Sequence, residues 1–163
     1  MNKHHDSSEH HASNEKDTRE LVDMLNQALA DSLDLAYQTK QAHWNVKGYN
    51  FYGLHLLFDD LHAQLAGYVD DFAERAVSIG GQALGTIRAA SATSRIDEYP
   101  LDALDGKVHV NALVDRYGEF TSRLRHAIRH AEKLGDKDTA GLFTTVSMAM
   151  DKALWMLTAH QEA

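Results

Sequence analysis

From Thr18 onward the chain repeats apolar residues at intervals of three and four: Leu21, Leu25, Ala28, Leu29, Leu33 and Ala36. That spacing draws one apolar stripe along an α-helix. The helix is expected to start at an Asp17 or Thr18 cap and to run to about residue 46, where Lys47-Gly48 breaks it. Asn50 offers a cap for a second helix to about residue 79, stopped by Gly80-Gly81. Residues 85–104 mix Ser, Thr, Asp and the single proline, Pro100, and read as a long connection holding a short helix. A third long helix is predicted over about 107–134, ended by Gly135, and a fourth over about 139–159, capped by Asp138. Residues 1–17 contain no aliphatic side chain larger than Ala12 apart from Met1. Such a segment cannot bury enough surface to offset its ordering entropy. The expected organisation is therefore a flexible, His-rich tail over 1–17 and one domain over 18–163.

Four long helices with one long crossover between the second and third predict an all-α, ferritin-like four-helix bundle. Composition agrees. The chain has 163 residues, 44% of them hydrophobic, which suits one domain with a real core. One proline and ten glycines are too few for the many turns of a sandwich or barrel. Cysteine is absent, which excludes disulfide scaffolds, thiolate metal sites and cysteine nucleophiles. No apolar run reaches the ~18 residues of a membrane span, and the polar first twenty residues do not read as a signal peptide. The expectation is a soluble cytoplasmic protein with no membrane partner.

The second helix carries candidate chemistry. With His55 set at 0° and ~100° per residue, Leu54, Phe58, Leu61, Leu65 and Phe72 form a core stripe. Asp59, Asp70 and Glu74 fall at about 40°, 60° and 100°, off that stripe and beside His55. His55/Asp59 and Asp70/Glu74 are each i,i+4 pairs, so each can aim two ligands at one point. The alternative for either pair is a solvated acidic face. The pair midpoints are ~22 Å apart along the helix, so one ion cannot use both pairs of one chain. Two antiparallel copies crossing near Gln64 and Leu65 on a twofold axis would bring His55/Asp59 of one chain against Asp70/Glu74 of the other. His43, in the apolar arc of the first helix, is either a satisfied core histidine or a third ligand. Imidazole plus carboxylate without thiolate suits iron, manganese or zinc. No Glu is followed three residues later by His, so the Glu-x-x-His motif of internal di-iron bundles is missing.

His43-Trp44-Asn45 within 40–48, then Phe51, Leu54-His55, Asp59, Asp70, Ala73-Glu74-Arg75-Ala76 and Gly80-Gly81 closely resemble the Dps family, the mini-ferritins that protect DNA during starvation. Tyr99-Pro100-Leu101-Asp102 and Asp138-Thr139-Ala140 extend the resemblance, which runs from about residue 20 to 160. It implies a hollow dodecamer of four-helix subunits with ferroxidase centres at twofold interfaces. There Fe2+ is oxidised, preferably by hydrogen peroxide, and ferric oxide is stored in the cavity. It also implies that His43, His55 and Asp59 of one chain face Asp70 and Glu74 of its partner. Trp44 would serve electron transfer beside that centre, or simply pack there. Asp136 and Asp138 would line a threefold iron-uptake pore, or act only as solvated cap residues.

Two other readings stay open. One is a DNA-binding nucleoid protein with little iron chemistry. Phosphate binding needs positive charge, yet Lys3, Lys16 and Arg19 are outnumbered near the N-terminus by Asp6, Glu9, Glu15, Asp17 and Glu20. The formal net charge of the chain is -8. DNA contact is therefore expected only at low pH, when His4, His5, His10 and His11 gain charge. The other reading is zinc or manganese held by the same ligands. His126 and His130, set among Arg123, Arg125 and Arg129, read as a solvated or interface face.

Overall fold

The computed structural model describes the backbone of residues 6–161 and the side chains of 14–161. Five helices follow one another: α1 (Asp6–Asn45), α2 (Phe51–Ser78), α3 (Ile87–Thr93), α4 (Gly106–Lys133) and α5 (Lys137–Thr158). No named strand occurs among the described residues; the one isolated bridge joins Lys47 to Asp105. None of these helices is long and apolar enough to cross a membrane.

Each long helix buries one stripe. Leu25, Leu29 and Leu35 of α1 meet Phe58, Leu61, Leu65 and Phe72 of α2, Leu113, Tyr117, Phe120 and Leu124 of α4, and Phe143, Val146, Met150 and Leu157 of α5. Phe72 and Phe143 pack with ring centroids 5.5 Å apart. The Tyr117 hydroxyl meets the Thr39 hydroxyl at 3.0 Å, so this buried phenol has its partner.

Two contacts give the helix directions. The Lys47–Asp105 bridge puts the start of α4 at the end where α2 starts. The Arg75–Asp136 ion pair puts the start of α5 where α2 ends. Helices α2 and α4 thus run the same way, as the long crossover requires. Gly106 allows the close approach at the first junction: a Cβ there would lie 2.6 Å from Leu54 Cδ1. The crossover is tied to α1. The fully buried Asp31 accepts from the Arg95 backbone N–H at 2.8 Å and from its guanidinium. Asn26 bonds the backbone of Gln82 and Leu84.

Three boundaries differ from expectation. Helix α1 begins at Asp6 rather than Thr18, so the backbone of 6–17 is part of the helix that enters the bundle. Once the packed turns from Leu21 exist, each added residue gains a backbone hydrogen bond without a new nucleus. Residues 1–5, with His4 and His5, lie outside the described residues. The α5 cap is Asp136, not Asp138: its carboxylate accepts from the N–H groups of Asp138 and Thr139. Gly135, at φ +78°, reverses the chain and leaves Asp136 extended at the cap position. Asn50 sits at the N-cap of α2 as expected, but its side chain makes no capping hydrogen bond.

Candidate metal centre

The last turns of α1 lie antiparallel to the first turns of α2, and their histidines meet across the seam. His43 Nδ1 lies 2.7 Å from the His55 carbonyl oxygen. His55 Nδ1 lies 2.8 Å from the His43 carbonyl oxygen. A carbonyl only accepts, so both Nδ1 atoms must carry the hydrogen. The Nε2 atom of each neutral ring therefore keeps its lone pair, which is the arrangement of a metal-binding histidine fixed by a backbone carbonyl. The rings stack with centroids 3.7 Å apart and 20° between planes, and Phe51 leans on His55 at 5.1 Å.

Asp59 lies one turn along α2 and is half-exposed. Its carboxylate is paired with the Lys40 ammonium of α1. That hydrogen bond holds its carboxyl below the usual carboxylate range, and His43 and His62 add to the effect when they are protonated. An ionised Asp59 beside two free imidazole nitrogens is a partial donor set for a borderline divalent ion.

Asp70 and Glu74 lie on the same helix, further toward its C-terminus, and both are exposed. The structure thus stacks His43 on His55, sets Asp59 one turn further along α2, and leaves Asp70 and Glu74 apart from them. Within one chain, no three His, Cys, Asp or Glu side chains among the described residues lie close enough to hold a metal ion. The α2 surface between the two pairs presents exposed Ala63, Gln64, Ala66 and Gly67. Trp44, next to His43, is 61% exposed.

Asp136 is committed elsewhere. Its two oxygens lie 3.0 Å from Arg75 Nη2 and also accept from Thr139. Burial alone would raise its carboxyl pKa, but the bonds from Thr139 and Arg75 outweigh that and hold it low. Asp138 is exposed and donates its N–H to Asp136. His126 contacts Arg129 at 2.8 Å and His130 contacts Glu20 at 3.2 Å, so this pair is occupied on the surface.

Sequence reasoning missed Lys40 and His62. Lys40 precedes His43 by three residues and so shares its helix face. His62 follows Asp59 by three residues and falls at about -20° on the same wheel.

A ferritin-like domain family model matches residues 22–163. A DNA protection during starvation protein from Agrobacterium fabrum is 45% identical over 148 residues, spanning 91% of this chain and 90% of that one. The chain belongs to the Dps family. The solved Dps protein of Bacillus brevis superposes with a TM-score of 0.86 at 28% identity, covering 90% of this chain and 97% of its own. The Dps protein of Vibrio cholerae O1 superposes with a TM-score of 0.85 at 26% identity, covering 90% and 91%. That protein is described as a member of a broad superfamily of ferritin-like diiron-carboxylate proteins. The four-helix bundle with a short crossover helix is therefore the Dps form of the ferritin-like fold.

Proposed function

We propose that this Dps chain is a ferroxidase and iron-storage protein whose centres form between two chains. The observation that carries the reading is the reciprocal pair of Nδ1–carbonyl bonds, which fixes His43 and His55 side by side with both Nε2 atoms free. Fe2+ is the substrate. His43, His55 and Asp59 of one chain bind it together with the partner subunit's Asp70 and Glu74, brought opposite by a twofold axis near Gln64 and Leu65. Diiron-carboxylate membership of a related Dps protein supports iron as the metal. Zinc or manganese would occupy the same donors as competitors.

The oxidation balances as two Fe2+, one H2O2 and two protons giving two Fe3+ and two H2O. Taking both electrons from paired ferrous ions releases no hydroxyl radical, which is how such a centre protects DNA. The ionised carboxylates favour the ferric product. The lone pairs of His43 and His55 hold the ferrous ion before oxidation. Twelve subunits would enclose the ferric product, with Asp138 lining the uptake pore. Asp136 contributes there by holding the α5 start against Arg75.

The test is anaerobic Fe2+ loading followed by stoichiometric hydrogen peroxide, with ferric absorbance recorded in wild type and in Asp70→Ala/Glu74→Ala. The double variant is expected to lose most of the fast phase. Trp44 fluorescence in the same experiment should quench on Fe2+ binding, and the quench should vanish in Trp44→Phe. Wild-type kinetics in the double variant would remove the two carboxylates from the centre.

A further inference from the structure

A cleft of about 370 Å3 lies between α1 and α4, with Arg95 of the crossover and Phe143 of α5 also on its wall. Neither His43 nor any residue of α2 lines it, so it is separate from the metal ligands. Pockets for small molecules run from about 300 to 1,000 Å3. The apolar part of this one is Met24, Ala28, Phe120, Leu124, Ala127 and Phe143.

The polar residues on the wall offer donors. Arg123 gives Nη2 to Glu119, one turn earlier on α4, and its Nη1 is buried with no hydrogen-bond partner among the described residues. A buried guanidinium N–H without an acceptor is costly. Arg95 gives Nε and Nη2 to Asp31 and is 47% exposed, so its remaining edge is open. His126 contributes a third donor. The Arg129 guanidinium can only donate, so His126 Nδ1 accepts from it at 2.8 Å and the hydrogen of the neutral ring sits on Nε2. The two acids on the wall differ. Asp31 is fully buried and taken up by Arg95 and Gln27. Asp23 is exposed.

We propose that this cleft binds a small organic monocarboxylate. Its carboxylate is held by Arg123, with Arg95 on the same wall, and its hydrocarbon or aromatic body lies against Phe120, Leu124 and Phe143. A carboxylate matches a guanidinium edge with two parallel N–H···O bonds, which a point charge does not. Asp23 disfavours a dianion such as phosphate, so one negative charge is specified. A cation would meet two guanidinium groups, and an uncharged alcohol would gain no charge-assisted bond. The site is independent of the ferroxidase reading.

The probe is 4-bromobenzoate, titrated calorimetrically into assembled, metal-free protein at neutral pH. One site per chain is expected. The uncharged 4-bromobenzyl alcohol should bind at least about tenfold more weakly, the equivalent of one charge-assisted hydrogen bond. The cationic 4-bromobenzylamine should not bind. Arg123→Met keeps an unbranched stem and should weaken the acid about tenfold while leaving the alcohol unchanged. Arg123→Lys keeps the charge without the fork and should recover only part of that loss. Ala127→Phe fills the cleft from a partly buried position and should abolish binding of the acid. Circular dichroism and the thermal midpoint check that this variant is folded. Bromine anomalous density in soaked crystals should lie in the cleft between α1 and α4. Equal affinity for acid and alcohol would overturn the proposal, as would unchanged binding in folded Ala127→Phe. Bromine density only elsewhere, or no binding by wild type up to the solubility limit of the acid, would overturn it too.

Discussion

His43 and His55 hold each other through their backbones, each ring donating from Nδ1 to the other residue's carbonyl. Replacing one ring leaves the backbone carbonyl that anchors the other, but removes its stacking partner and one of the two imidazoles. His43→Gln and His55→Gln should each lower Fe2+ affinity by at least about 10- to 100-fold, the range for an outer-shell loss, because each removes a ligand outright. In metal-free protein, 15N correlation spectra should report both rings as the Nδ1–H tautomer. An Nε2–H tautomer at either ring would contradict the arrangement.

A centre split between chains makes a definite prediction for mixtures. Chains carrying His43→Ala/His55→Ala and chains carrying Asp70→Ala/Glu74→Ala should each oxidise Fe2+ poorly alone. In a mixed dimer, one of the two sites recovers all five ligands and the other keeps only Asp59. Activity should therefore rise when the two variants are assembled together. If subunit exchange is verified by mass and no activity returns, the ligands do not come from two chains.

Much of this was readable in the residues because it depends on local periodicity. The α2 core stripe is buried as the 3.6-residue pattern requires: Leu54, Phe58, Leu61, Leu65 and Phe72 all face inward. The His55/Asp59 face follows from the same arithmetic. What escaped depends on pairing between elements. Asp136 and Asp138 are equally good caps in sequence, and the choice falls to Asp136 because Arg75, 61 residues away, grips it. The Lys40–Asp59 pair spans two helices, so no single-helix pattern reveals it. Asp31 is fully buried because Arg95 of the crossover, distant in sequence, pairs with it. The early start of α1 reflects propagation from a packed helix, which carries no apolar signature of its own.

Asp136 joins a helix cap to an ion pair, and its side chain is only 16% exposed. Asp136→Asn should destabilise the protein by about 2 kcal/mol at neutral pH. The hydrogen bonds from Thr139 and Arg75 depress the folded-state carboxyl pKa. The stabilisation is therefore complete above the unfolded value near 3.9 and is lost as pH falls through the lower folded value. Urea unfolding of wild type and variant should begin to converge only as pH falls below about 4. A stability gap that stays constant to the lowest pH would show that ionisation of Asp136 contributes nothing.

His109 is buried against Phe58, with its Nδ1 2.6 Å from the Tyr99 hydroxyl. Burial pushes the Tyr99 phenol pKa up, so Tyr99 remains protonated and donates. Nδ1 of His109 then accepts, and the hydrogen sits on Nε2, the reverse of His43 and His55. That Nε2 is buried and without a hydrogen-bond partner. Burial lowers the pKa of His109, while the backbone carbonyls of Asn45 and Ala103 and the charge of Asp105 offset part of the shift. Below about pH 6.5 the unfolded chain takes up a proton at this residue that the folded chain refuses. Folding stability should therefore fall as pH drops from about 6.5, by up to ~1.4 kcal/mol per pH unit from this one group. His109→Gln should cost about 1–3 kcal/mol at pH 8, where the Tyr99 bond is weakened. It should also flatten the decline between pH 6.5 and 5. Denaturant unfolding across that range, at fixed protein concentration, measures both effects. Equal slopes in wild type and variant would mean that His109 is protonated as readily in the folded chain as in the unfolded one.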